Sequence, residues 1–257
     1  MRTYTYDAIV FDLLDTVYPW GPSQYGCALD ALCATVAARR PPATPEEVRK
    51  RYVAIRSRIS AGNITRLVEN DFPAAIQELV GTYDGDARDG LSEEGLRNYN
   101  LAFAGALELP PAVGDMLRRL APRYTLGALS NYPTSSGIRM ALERDGLTSL
   151  LSAIVVSAEV GFVKPHPVMF RTICDEIGCS PERVLVVGDT WESDVVGAYL
   201  AGMPCVRVKP SDSGVEQGKF FHGHIRAWID SQKGHDWTRA KPLAEIESVL
   251  DLETWLG

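Results

Sequence analysis

The feature that most constrains this chain is the alternation, from about residue 110 onward, of short apolar runs with amphipathic stretches at helical spacing. "YTLGALS" (124–130), "AIVVSAEV" (153–160), "RVLVVGD" (183–189) and "CVRVK" (205–209) read as strands. Between them, "SSGIRMALERDGL" (135–147), "HPVMFRTICDEIG" (166–178) and "SDVVGAYLAGM" (193–203) read as helices. Strands that are apolar along their whole length are buried on both faces, and the intervening helices supply the two covering layers. The expected fold is therefore α/β, a Rossmann-like doubly wound parallel sheet. Near the N-terminus "AIVF" (8–11) is one more buried strand, and it runs straight into Asp12.

Residues 21 to 105 have a different character. "CALDALCATVAARR" has helical spacing, and Thr44-Pro45-Glu46-Glu47 spells a capping box with proline at the first helical position, opening "EEVRKRYVAIRSRI". The expected organisation is an α/β core built from 1–20 and 106–257, with 21–105 inserted after the first strand as a helical lobe. A polar, glycine-containing segment from 210 to 240 reads as surface loop, and "PLAEIESVL" as a last helix.

Composition narrows the function classes. The chain has 257 residues, 46% hydrophobic and 23% charged, which suits a soluble globular protein with a sizeable core. A net charge of -7 without any Lys/Arg run offers no field for holding nucleic acid or an anionic membrane, so a small-molecule substrate is expected instead. No apolar run reaches the ~18 residues of a membrane span, and the N-terminus lacks a signal-peptide pattern. Five cysteines with no CxxC pair argue against a closed disulfide set, so a reducing, cytoplasmic location is expected. Asn63-Ile64-Thr65 spells a glycosylation acceptor, which carries no weight in such a compartment.

Ligands of open parallel sheets bind beyond the carboxyl ends of the strands. Asp12 follows the first strand, Ser130 and Asn131 end "YTLGALSN", Lys164 follows "VGFV", and Asp189 closes "RVLVVGD". Taken singly, each has a plain structural explanation: Ser130 as a helix cap, Lys164 as a solvated side chain, Asp194 as a first-turn acid. Four strand ends bearing such groups in order point to a catalytic site. Two or three carboxylates converging at a sheet edge also repel one another unless a cation or protons intervene.

This set resembles the haloacid dehalogenase (HAD) superfamily of hydrolases. "VFDLLDT" is similar to its first motif, DxDxT; "LGALSN" to its second, a strand ending in Ser or Thr; "GFVKPHPVMF" to its lysine motif; and "VLVVGDTWESDVVGA" to its GDxxxxD motif. The resemblance spans about residues 7 to 208 and places a cap at 21–105. It implies Asp12 as a nucleophile forming a covalent aspartyl intermediate. It further implies that Ser130 and Asn131 hold the transferring group through hydroxyl and backbone donors, and that Lys164 neutralises charge. Mg²⁺ would be held by Asp12, Asp189 and the backbone carbonyl of Leu14, with Asp194 supporting from the next turn.

The departure is Leu14. Phosphatases of the superfamily carry there a second Asp, which protonates the leaving group and later activates water. In extended backbone Asp15 would point to the opposite face, so it is expected to be structural. The metal loses nothing, because position 14 contributes a peptide oxygen, but general acid–base help worth ~10²–10⁴ in rate is absent. Three readings follow: a Mg²⁺-dependent phosphohydrolase for a small phosphorylated metabolite whose leaving group is stable as an anion or whose acid comes from the cap; a 2-haloacid dehalogenase; and a non-catalytic binding or regulatory protein. Asp189 favours the first, because the dehalogenases have Ser-like residues at that position and no metal.

Tyr18 and Trp20 are candidates for facing the site or for packing at the junction. Arg56, Arg58 and Arg66 are candidates for a substrate anion or for a solvated helix face. His222, His224 and His235 lack the supporting acid or Cys pattern of a zinc site.

Overall fold

The structure, a computed structural model, describes residues 5–63, 66–84, 89–210 and 223–257. Its centre is a six-stranded sheet of β1 (Ala8–Phe11), β2 (Thr125–Ser130), β3 (Leu151–Val156), β4 (Val184–Gly188), β5 (Cys205–Val208) and β6 (Ala244–Ile246). The strand order is β3-β2-β1-β4-β5-β6, and each neighbouring pair is parallel. The winding reverses after β3, when the chain returns to the other side of β1. The crevice between β1 and β4 is thus the topological switch point, where parallel sheets bind ligands.

Alternation along the strands separates two apolar layers. Ile9, Phe11, Leu126, Ala128, Leu185 and Val187 face one cluster, with α5 (Pro111–Leu120), α6 (Ser135–Arg144) and the closing helix Leu252–Leu256. Ala8, Val10, Leu129, Val184 and Val186 face the other, beneath α8 (Pro167–Ile177) and α9 (Val196–Ala201). The expected α/β architecture is therefore present.

Between β1 and α5 the described residues form four helices, α1 (Pro22–Arg39), α2 (Pro45–Asn63), α3 (Phe72–Gly81) and α4 (Leu91–Ala106). The capping box is formed: Glu47 N donates to Thr44 Oγ1 at 3.3 Å, while Thr44 N donates to Glu47 Oε2 at 2.8 Å. Leu29, Leu32, Phe72, Tyr99 and Phe103 of these helices belong to the same apolar cluster as Ile9 and Phe11 of the sheet.

Three sequence expectations need correction. The run "AIVVSAEV" is strand only as far as Val156; Ser157–Val160 turn into a short helix, α7, that ends at Gly161 in the left-handed region. "PLAEIESVL" is not a helix but supplies β6 and a 3₁₀ turn at Val249–Asp251, because its apolar residues pair with an open sheet edge beside β5. Within 210–240, residues 211–222 lie outside the described ones, and Gly223–Ser231 forms a helix rather than loop. Ile225 and Ile229 on it pack with Leu67, Val163 and Val196, which ties this excursion to the rim of the site.

Candidate active site

Asp12 leaves β1 with its backbone N–H bonded to Val187 O at 2.8 Å, which sets it beside the end of β4. β4 delivers Asp189, and the following backbone widens into a π-helical turn, Trp191–Val195, that swings Asp194 back over the strand end. This approach requires a glycine: a Cβ on Gly188 would lie 2.8 Å from Asp194 Cβ and closer still to its carboxyl group. Asp12, Asp189 and Asp194 each offer an oxygen within 4.8 Å of the others, all three side chains buried.

Lys164, 2% exposed, enters this cluster and donates to Asp12 Oδ1 at 2.6 Å and to Asp194 Oδ1 at 2.7 Å. Thr190 N donates to Asp194 Oδ2 at 3.0 Å, so both oxygens of Asp194 are engaged. Asp12 Oδ2 is buried without a hydrogen-bond partner. Burial, partly offset by Lys164 and reinforced by Asp194, pushes the Asp12 carboxyl up to about 6. Burial, with Asp12 and Asp194 adding to it, drives Asp189 well above the usual carboxylate range. For Lys164 burial acts downward, but Asp12 and Asp194 more than offset it and hold the ammonium above its ordinary value. One cation therefore faces three acids, and the site favours a further positive charge.

Ser130 ends β2 with its hydroxyl buried and unpartnered, free to donate to a ligand. The Asn131 side chain is engaged elsewhere: Nδ2 donates to Lys164 O at 3.0 Å and Oδ1 accepts from Lys164 N at 2.6 Å. That amide clamps the lysine's backbone, leaving the Asn131 main chain as its route to a ligand.

Leu14 forms an isolated parallel bridge with Tyr18, and Asp15 opens the tight turn between them. Tyr18 N donates to Leu13 O and Asp15 N donates to Tyr18 O, both at 2.8 Å, which leaves the peptide oxygen of Leu14 outside the bridge. The Leu14 side chain packs against the apolar cluster. Asp15 has a φ of 68° and accepts from Trp20 N at 3.1 Å. It stabilises its own turn, as expected, although the cause is a left-handed residue and not strand alternation.

The aromatic residues are packing groups. Tyr18 is buried and donates to Asp145 Oδ2 at 2.8 Å. Trp20 meets Phe103 and Tyr132 edge-on with ring centres 5.1 and 5.7 Å apart. Arg58 pairs with Glu78, Arg56 donates to Tyr52 Oη at 3.3 Å, and Arg66 is exposed. His235 stacks on Trp237 at 4.9 Å; His222 and the His224 side chain lie outside the described residues. Sequence reading missed Glu69 and Ser157, which are 88 positions apart and hydrogen-bonded to each other. No spacing in the chain signals such a pair.

A buried carboxylate at the end of β1, a second at the end of β4 and a lysine joining the first to a third define the class: an α/β protein with its chemistry at the switch point. Residues 6–202 match the family model of haloacid dehalogenase-like hydrolases, and the chain belongs to that family. It is an enzyme, a hydrolase. A glyceraldehyde 3-phosphate phosphatase of Methanothermobacter thermautotrophicus is 29% identical over 95% of this chain and 99% of its own. A ribulose-1,5-bisphosphate 5-phosphatase of Halopiger xanaduensis is 25% identical over 94% and 99% respectively. Among solved structures, a 2-haloacid dehalogenase from Pseudomonas syringae pv. Tomato DC3000 superposes with a TM-score of 0.69 at 22% identity, covering 98% of both chains. That likeness shows the fold. None of the described helices is long and apolar enough to cross a membrane.

Proposed function

We propose that this hydrolase is a Mg²⁺-dependent phosphohydrolase of small phosphorylated metabolites, working through an aspartyl-phosphate on Asp12. The observation that carries the reading is the cluster of three buried carboxylates within 4.8 Å of one another, in which Lys164 is the one cation ion-paired among the described residues, to Asp12 and Asp194. Similar proteins named as phosphatases over nearly the full chain support it.

The donor set fits a hard cation, because oxygen ligands and an orphaned buried carboxylate oxygen are what Mg²⁺ takes up. Asp12, Asp189 and the Leu14 peptide oxygen would hold it, with Asp194 orienting Lys164 from behind. Bound there, the ion neutralises carboxylate and phosphoryl oxygens alike.

A carboxylate oxygen of Asp12 attacks phosphorus; the new O–P bond forms as the bond to the leaving oxygen breaks, and that oxygen departs with the electron pair. Ser130 donates to a phosphoryl oxygen, and Lys164 balances the negative charge shared by Asp12 and the transferring group. Water then attacks phosphorus, its new O–P bond forming as the Asp12 O–P bond breaks, so that Asp12 leaves as carboxylate and both protons of the water depart on the released phosphate. Leu14 has no proton to give, and Asp15 is held in its turn, so leaving groups stable as anions, such as the carboxylate of an acyl phosphate, depart fastest.

The dehalogenase reading has one observation in its favour, since halide leaves without a proton and Leu14 offers none. Asp189 at the end of β4 weighs against it. A paired screen of phosphate esters, acyl phosphates and 2-haloacids, each with and without Mg²⁺, decides between them. Phosphate release that depends on Mg²⁺ is expected, fastest from acyl phosphates; halide release indifferent to Mg²⁺ would overturn the assignment.

A further inference from the structure

A segment of the inserted region between α2 and α3 is fastened to the loop that carries Lys164. Val163 N donates to Leu67 O at 2.9 Å and Glu69 N donates to Gly161 O at 3.0 Å, with an isolated antiparallel bridge between Val68 and Phe162. Leu67 is fully buried in the cluster containing Val163 and Val196, and it adopts a φ of 53°. A non-glycine side chain in that region is strained, and the surrounding contacts must offset the strain.

Glu69 extends from this strap into the core. The Ser157 hydroxyl donates to Glu69 Oε2, with Tyr132 O at 3.2 Å as its competing acceptor, while Tyr132 N donates to Ser157 Oγ at 2.8 Å. Glu69 Oε1 accepts from Asn70 N at 2.7 Å, so both carboxylate oxygens are occupied. Ser157 is wholly buried. Tyr132 follows Asn131, whose side chain grips both backbone groups of Lys164. The result is a closed circuit: Glu69 to Ser157, Ser157 to the Asn131–Tyr132 backbone, Asn131 to Lys164, and the Lys164 loop back to the strap.

We propose that Glu69 is a positioning residue of the site: acting through Ser157, it fixes the Ser130–Tyr132 backbone against Lys164, so that the inserted region sets the phosphate-holding loop in register with the lysine. The proposal rests on the phosphohydrolase reading for its kinetic consequence and on hydrogen bonding alone for its structural one. Glu69 touches none of Asp12, Lys164 or Asp189 through any hydrogen bond or ion pair recorded among the described residues. Its effect is therefore indirect.

Two measurements on the full chain test it. Amide hydrogen exchange of wild type, Glu69→Ala, Glu69→Gln, Ser157→Ala and the control Arg58→Ala reads the Tyr132 N–H directly. Glu69→Ala and Ser157→Ala are expected to speed its exchange at least about tenfold, Glu69→Gln less because its carbonyl still accepts from Ser157, and Arg58→Ala not at all. Unchanged protection in a folded Glu69→Ala protein overturns the proposal whatever the enzyme hydrolyses. Steady-state phosphate release from acetyl phosphate with Mg²⁺ is expected to lose about tenfold or more in kcat in both alanine variants, the double variant losing no more than either single one. Losses that multiply in the double variant, or that Glu69→Gln fails to recover in part, also overturn it. An absence of phosphate release in wild type counts against the phosphohydrolase reading and leaves the exchange result to decide this one.

Discussion

At position 14 the side chain packs against the apolar cluster and carries no titratable group, while its peptide oxygen stays outside the turn's hydrogen bonds. Restoring the acid is expected to matter most for alkyl phosphates: Leu14→Asp should raise kcat on simple phosphate esters by about 10²-fold, the lower end of what a general acid contributes. A change of less than about threefold in a variant with native thermal stability and Mg²⁺ affinity would contradict this. The neighbouring acids give a pH signature. Asp12 and Asp189 both have folded pKa values above the ordinary 3.8, the first at about 6, so without metal the folded state holds protons more tightly than the unfolded one. The Asp12 contribution to stability is therefore complete below about pH 4 and is lost as pH rises through about 6, and that of Asp189, raised in the same direction, is likewise present at low pH and lost once its carboxyl ionises. Thermal melts should show Mg²⁺ raising Tm more at about pH 7.5 than at about pH 5, with the difference abolished in Asp12→Asn/Asp189→Asn.

Elements bring these residues together by devices of different visibility. The π-helical turn after β4 and the bare Cα of Gly188 allow Asp194 to fold back onto the strand end. Gly188→Ala is expected to displace Asp194 and Lys164 and to lower kcat about 10²-fold or more while most of the fold survives, as a one-ångström misplacement does in other sites; activity near wild type would show that the turn yields freely. Much of the sheet was legible, because β1, β2, β4 and β5 are apolar runs that end in polar residues, and the candidate carboxylates Asp12 and Asp189 could be placed at those ends. The turn from β3 into α7 was not, since "VVSAEV" continues the apolar pattern while Ser157 bonds Tyr132 and Glu69. β6 was misread for a related reason: three residues cannot show a period, and pairing with β5 decides their conformation. The circuit through Glu69 was invisible because every link joins segments far apart in the chain.

For the whole molecule, the inserted helices and the sheet share one apolar cluster, running from Ile9 and Phe11 through Trp20, Phe103 and Tyr132 to Leu32 and Phe72. The proposed core and helical lobe at 21–105 therefore share packing, which predicts that they unfold together. Thermal unfolding followed by far-UV and near-UV signals should give one coincident transition, and Trp20→Ala should lower it by a loss of about 3–5 kcal/mol. Two separated transitions would mean that the lobe holds together by itself. The proposed chemistry requires that a carboxylate oxygen of Asp12 become covalently bonded to phosphorus. Incubation with acetyl phosphate and Mg²⁺, trapping by borohydride reduction and peptide mapping by mass spectrometry read that bond directly. Modification of Asp12 that requires Mg²⁺ is the result expected; modification at another residue, or none at Asp12 while phosphate is still released, would contradict it.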